Sequence, residues 1–495
     1  MAQQFSNLLD LLRYNPEEPL LFTSGLFLFL FLGFTFLYGF MRRTVTLRIV
    51  YVPLFSLYFY YKTSGLFFLL LIFTATSDFF IGQCIASARR RWAKRFWVGL
   101  SVCINLGMLG YFKYTDFLIG ILNDFLADPL EFQNIFLPIG ISFFTFQSMS
   151  YIVDLYREKV RPLRRWIDYL FYISFFPQLV AGPIVRARDF IPQIHQRPLT
   201  VSRAQFGEGF WLILCGLFKK AVISDFISLN FVDRIFDNPT LYTGLENLVG
   251  VLGYAMQIYC DFSGYSDMAI GIALLLGFRF NANFDSPYKS ATITEFWRRW
   301  HISLSSWLKD YLYISLGGNR KGRVRTYLNL LITMLLGGLW HGAAIRFLVW
   351  GGAHGAGLAV HKLTMHLAPG FRATGAEMPR WRRIIGILFT FSFVCALWVF
   401  FRAESMEVAG QIFTQIFTAF HPEIFFDFIT GYRWVVVLLA IGYALHFTSA
   451  RVEAQTLRVV QRLPIFVYAL LMTGLIWLIM QLKSGDVQPF IYFQF

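Results

Sequence analysis

From Leu20 to Met41 the chain runs twenty-two residues without a charged side chain, and apolar runs of similar length recur along it. An α-helix rises 1.5 Å per residue, so about 20 apolar residues cross the roughly 30 Å hydrocarbon core of a bilayer. Inside that core the backbone has to satisfy its own hydrogen bonds, which long apolar helices do. Composition agrees: of 495 residues 56% are hydrophobic, 57 are Phe and only 15% are charged, giving a mean hydropathy of +0.54. No soluble core hides that much apolar surface. The chain reads as an all-α, polytopic membrane protein.

Candidate spans are 20–41, 46–61, 64–87, 96–120, 135–155, 208–230, 247–277, 328–345, 346–362, 384–401, 432–448 and 463–482. Lys and Arg concentrate in cytoplasmic loops, and this fixes the sides. Arg42 and Arg43, Arg89 to Arg95, Arg157 to Arg165, Arg298 to Lys309, Arg320 to Arg325, Arg380 to Arg383 and Arg451 to Arg462 are all assigned inside. Asp124, Asp128 and Glu131 suit the outside. About twelve crossings satisfy every cluster and leave both termini extracytoplasmic. The first run follows Asn15–Pro19 and is long enough to remain as a span, so no cleaved signal peptide is expected. Residues 167–184, broken by Pro177, Gly182 and Pro183, read as re-entrant or interfacial, and Gly337-Gly338 as a bend or a break between two short helices.

A net charge of +15 would suit nucleic acid in a soluble protein. Here the basic strings, such as Ala88–Arg95, flank apolar spans and read as anchors to anionic lipid. Membrane lipid is therefore an expected partner and nucleic acid is not. The five cysteines are scattered without a CxxC pair and read as small core residues.

Chemistry concentrates in two strings. His341, in Trp340-His341-Gly342, lies inside the apolar run from Tyr327 to Val360. An ionisable group at that depth costs about 2–3 kcal/mol or more unless it meets a cavity or partner, which makes it a functional candidate. A neutral imidazole there can take a proton from an attacking hydroxyl, as acyl transfer from a thioester requires. The second string begins at Thr292-x-x-Glu295, a capping box predicting a helix from Ile293. On one continuous helix Trp297, His301, Leu304 and Leu308 share a face, opposite Arg299, Ser303, Ser306 and Asp310. That is an interfacial amphipathic helix with His301 on its buried side, where it either serves chemistry or anchors the helix.

Asp261 and Asp267 lie in an otherwise apolar span and read as a polar network, satisfied through Ser263 and Tyr265 or paired with Lys219 or Lys220. His354 and His361 follow His341, but no carboxylate or cysteine stands at ligand spacing, so no metal is expected. His195, His366, His421 and His446 read as loop or interface residues. The chain ends on Gln488 to Phe495, too aromatic for an exposed tail and expected to dock.

Five strings, Pro138–Gln147, Phe176–Pro183, Asp261–Asp267, Phe296–His301 and Trp340–Gly342, together resemble the membrane-bound O-acyltransferase family, in particular its bacterial alginate O-acetyltransferase branch. The resemblance implies helices around a central funnel, His341 as principal catalytic histidine and His301 as the second. Trp297, Trp340, Gln178, Asp261 and Asp267 would line or support the funnel. It implies an enzyme of a bacterial inner membrane that takes an acetyl group from acetyl-CoA or an acylated carrier protein in the cytoplasm. A periplasmic SGNH-type acetyltransferase would then pass the group to a polysaccharide beside the synthesis and secretion machinery. The ending Phe490-Ile-Tyr492-Phe-Gln-Phe495 is similar to that of the helper protein in teichoic acid D-alanylation, which implies that Tyr492 relays the acyl group. On this reading residues 1–462 form the catalytic domain and 463–495 a fused span and external tail.

Besides a purely structural scaffold for a polysaccharide secretion machine, two alternatives stay open. One is transfer of D-alanyl or another acyl group to a cell-wall polymer. The other, of a different class, is a proton-coupled secondary transporter with Asp261, Asp267 and His341 as its proton path, although no internal repeat is visible.

Overall fold

The computed structural model describes residues 10–197, 199–367, 378–482 and 490–491. Among them the regular structure is helical throughout, with no strand. Two compact units are present: Met1–Phe210 with Met268–Asn281, and Trp211–Asp267 with Ala282–Phe495.

In the first unit the apolar runs become helices Gly25–Met41, Val45–Ser64, Phe68–Ser87, Arg91–Asn123 and Ile141–Tyr156. Ser24 caps the first by accepting from the Phe27 N–H at 3.2 Å. Gly65, at φ +61°, turns the chain between the second and third in a conformation that strains other residues. The apolar 167–184 stretch is broken as its prolines and glycine foretell, into Trp166–Ser174 and Phe176–Leu179, and it lies buried. The break leaves backbone groups that the surrounding protein satisfies. The Phe176 N–H donates to Ser56 Oγ at 3.1 Å, and the side chains of Gln147 and Gln178 both donate to the Tyr172 carbonyl, at 2.8 and 2.7 Å.

Four helical stretches among the described residues are long and apolar enough to cross a bilayer: Val45–Ser87, Arg91–Asn123, Arg380–Arg402 and Ile465–Leu482. A fifth would be the pair Pro422–Gly431 and Arg433–His446, bent by 94°. The twelve anticipated spans therefore do not appear as twelve uninterrupted apolar helices. Several are shortened by breaks or carry polar groups along the helix, which the protein interior tolerates and lipid does not.

The second unit holds the helical hairpin Arg323–His341 and Ile345–Leu367. Its first helix continues through Gly337-Gly338, so the break between two helices falls not there but at Gly342–Ala344. The glycines serve close packing. A Cβ on Gly338 would lie 2.2 Å from the Phe347 carbonyl oxygen, and one on Gly351 would lie 2.3 Å from that of Met334. The hairpin holds His341 at the end of its first helix, against the second.

Candidate active site

The anticipated cap forms at Thr292, with Glu295 reaching back one residue further than in a standard capping box. Thr292 Oγ1 accepts from the Glu295 N–H at 3.1 Å, and Glu295 Oε2 accepts from the Ala291 N–H at 2.9 Å. The single amphipathic helix does not. Helix Ile293–Arg299 stops, His301 adopts the left-handed conformation (φ +42°, ψ +57°), and a new helix Ile302–Trp307 starts from it. A non-glycine residue held there is strained and needs its neighbours to hold it. Neighbouring chain does so: the Asp285 N–H donates to the Arg299 carbonyl at 3.0 Å and the Ile302 N–H to that of Asn283 at 2.8 Å. The break re-aims His301 away from the Trp297 face on which an unbroken helix would place it.

His301 is fully buried, in ring contact with Phe262 (4.6 Å), Trp340 (6.1 Å) and Phe284 (6.3 Å). It lies outside every anticipated or observed span, and burial pushes its pKa down to about 3, so the ring is neutral. His341 is buried among Trp340 (4.9 Å), Trp350 (5.0 Å) and Phe401 (5.2 Å). The two histidines named from sequence thus share one aromatic neighbour, Trp340. Trp297 joins the cluster through Trp350 at 5.7 Å and donates its indole N–H to His354 Nδ1 at 3.3 Å.

His354, considered from sequence only as a metal ligand, is therefore part of the site's wall, with its ring 4.8 Å from that of Trp350. His361 is engaged elsewhere, with Nδ1 2.8 Å from Thr294 Oγ1. His446, read from sequence as a loop or interface residue, ends helix Arg433–His446 and is buried, and its Nε2 accepts from the Tyr288 N–H at 3.1 Å. Among the described residues no cluster of three or more potential metal ligands occurs.

The acidic pair takes the lysine option. Lys219 Nζ lies 2.7 Å from Asp267, and Lys220 Nζ lies 2.6 Å from Asp261 and 2.7 Å from Asp225. Both lysines are on the π-helical segment Phe218–Ser224, and as adjacent residues of a helix they point in different directions and reach different carboxylates. Asp261 also accepts from the Ile491 N–H at 2.8 Å, while the Phe490 ring packs on Phe262 (5.4 Å) and Tyr265 (5.2 Å). Phe490 and Ile491 are buried, so this part of the tail docks. Phe262 touches both Phe490 and His301, which brings the docked segment within one ring of the second histidine. Tyr492, the anticipated relay, lies outside the described residues. Gln178 belongs to the first unit, where it supports the Tyr172 carbonyl.

Sequence reasoning missed Asn283, whose Oδ1 is 3.1 Å from His301 Nδ1. It stands eighteen residues before the histidine, with no motif to mark it.

Residues 57–406 match the family model for membrane-bound O-acyltransferases. The chain is 43% identical over 413 residues to the probable alginate O-acetylase AlgI of Pseudomonas aeruginosa, covering 81% of this chain and 75% of that protein. It is 39% identical to the protein of the same description in Pseudomonas putida, over 96% of this chain and the whole of that one. It is also 38% identical to the peptidoglycan O-acetyltransferase of Helicobacter pylori, over 79% of each.

Proposed function

The chain belongs to the membrane-bound O-acyltransferase family, and from that premise we propose that it carries an acetyl group across a bacterial inner membrane for O-acetylation of an alginate-like exopolysaccharide. The donor is a cytoplasmic thioester, acetyl-CoA or an acylated carrier protein. The partners are a periplasmic SGNH-type acetyltransferase and the polysaccharide machinery.

The observation that carries this reading is the convergence of His341, Trp340 and His301 with the docked Phe490-Ile491 segment. His341 acts as the base. Its imidazole takes the proton of the Tyr492 hydroxyl, the phenolate oxygen attacks the thioester carbonyl, the C–S bond breaks and the proton passes to the leaving thiolate. The products are a tyrosyl acetate and a free thiol. A phenyl ester is an activated donor, so a serine of the external enzyme can take the acetyl group and regenerate the phenol. A dry aromatic wall suits the step, because it excludes the water that would hydrolyse the ester. Asp261 supports the reading by accepting from Ile491, the residue joined to Tyr492.

Tyr492→Phe tests it by removing one hydroxyl and keeping the ring. Polymer acetylation is expected to be lost while the donor still binds. In a strain without the external acetyltransferase, mass spectrometry of the wild-type C-terminal peptide should show one added acetyl on Tyr492. Full activity in Tyr492→Phe would reduce the tail to a docking element.

A further inference from the structure

We infer that Asn283 is a positioning residue that fixes the tautomer of His301, keeping the proton on Nδ1 so that the ring meets the reactants through the lone pair of Nε2. The inference rests on the acyl-transfer reading above. It assigns His301 the role of hydrogen-bond acceptor toward an O–H or N–H of the reactants, and excludes it as a donor to the developing oxyanion.

The orientation of the Asn283 amide follows from one partner. The Ser303 backbone N–H approaches Oδ1 at 3.2 Å, and a backbone N–H only donates, so the atom facing it is the carbonyl oxygen. Two further contacts agree. Ser303 Oγ, at 2.8 Å, donates to the same oxygen, and Asn283 Nδ2 donates to Ser266 Oγ at 3.0 Å. A flipped amide would set two donors against each other at Ser303. With Oδ1 fixed as acceptor, His301 Nδ1 at 3.1 Å must carry the hydrogen. A neutral imidazole has one N–H, so Nε2 holds the lone pair.

Asn283 also acts through its backbone, whose carbonyl accepts from the Ile302 N–H at 2.8 Å, just past the strained φ of His301. One buried residue therefore fixes both the backbone turn that aims the ring and the proton on it. Among the described residues, the rings packed on His301, those of Phe262, Phe284 and Trp340, carry no titratable group.

The test compares three variants with histidine ¹⁵N NMR on the purified wild-type enzyme. Wild type should show the His301 resonances of the Nδ1–H tautomer, assigned by their loss in His301→Ala. Asn283→Leu keeps the branched shape and the backbone carbonyl but removes the acceptor. It should lower kcat on the order of 10–100-fold with KM nearly unchanged, as loss of an orienting partner does, and its spectrum should show a mixed or switched tautomer. Asn283→Asp keeps an acceptor toward both Nδ1–H and Ser303. It should retain the tautomer and most of the activity, and the new carboxylate should move the acid limb of the pH profile upward by favouring the imidazolium. An Nε2–H tautomer in wild type, or an Asn283→Leu enzyme with wild-type kcat beside an inactive His301→Ala, overturns the inference alone. Wild-type activity in His301→Ala itself overturns the reading of the site on which it rests.

Discussion

Each unit contains a dense aromatic cluster, and the two are built from different atoms. In the first, the Phe176 ring meets those of Phe27, Phe31, Phe34, Phe55, Phe59 and Phe175 at 5.0 to 6.4 Å, with only hydrocarbon in contact. In the second, the indoles of Trp297, Trp340 and Trp350 surround His341 and His354, with His301 against Trp340. The phenyl cluster asks only for shape and is satisfied by close packing. The indole–imidazole cluster buries N–H groups and lone pairs, each of which costs about 1–3 kcal/mol if left without a partner. A fold keeps such a liability where it serves chemistry, so the clusters should respond oppositely to truncation.

The largest effect belongs to His341→Ala. Acetyl content of the polymer should fall by about 10³-fold or to background, within the range spanned by loss of a general base. The protein should insert and accumulate as wild type does, because the cluster's packing rests mainly on the indoles. Acetyl content and protein level measured side by side decide the matter, and wild-type acetylation at equal expression would remove His341 from the mechanism. Phe176→Ala is the mirror experiment. Loss of a buried phenyl costs about 3–5 kcal/mol, so the yield and thermal midpoint of detergent-solubilised enzyme should drop while turnover per folded molecule stays unchanged. Lost turnover at an unchanged midpoint would mean that the phenyl cluster, too, serves the site.

This contrast was only partly legible in the sequence. The helical membrane class followed from run length, and His341 stood out because an ionisable residue in an apolar run has few cheap explanations. The capping box at Thr292 was readable since both its partners are local. The break at His301 was not. Neither Gly nor Pro marks it, and the forces that hold φ positive come from Asn283 and Asp285, outside the helix. Gly337-Gly338 misled for the converse reason: glycine marks a bend and a close crossing alike, and only Phe347 on the facing helix tells them apart. Lys219 and Lys220 were both candidates for Asp261, and the choice of Lys220 depends on how two distant helices are rotated against each other, which spacing along the chain does not give. His354 was missed because its partner is an indole N–H fifty-seven residues away, and no spacing rule connects them.

That indole N–H gives the finest test of the comparison. Trp297→Phe leaves an aromatic ring against Trp350 and deletes the donor that satisfies His354 Nδ1 together with part of the ring volume. If the cluster were held by shape alone, as around Phe176, the change would cost only the lost ring volume, whatever residue stands at 354. If its hydrogen bonds matter, His354 keeps an acceptor without its donor, at a cost of about 1–3 kcal/mol. His354 packs on Trp350, and Trp350 on His341, so activity should also fall, by about 3- to 10-fold for a shift of 0.6–1.4 kcal/mol at the barrier. Adding His354→Phe removes the orphaned acceptor, and replacement of both partners by apolar rings should recover most of the stability. A double-mutant cycle on the thermal midpoint therefore separates the two views, because coupled residues give a non-additive pair and independent packing residues an additive one. Additivity would place Trp297 with the phenyl cluster as a space-filling ring, and His354 would lose its claim to a part in the wall of the site.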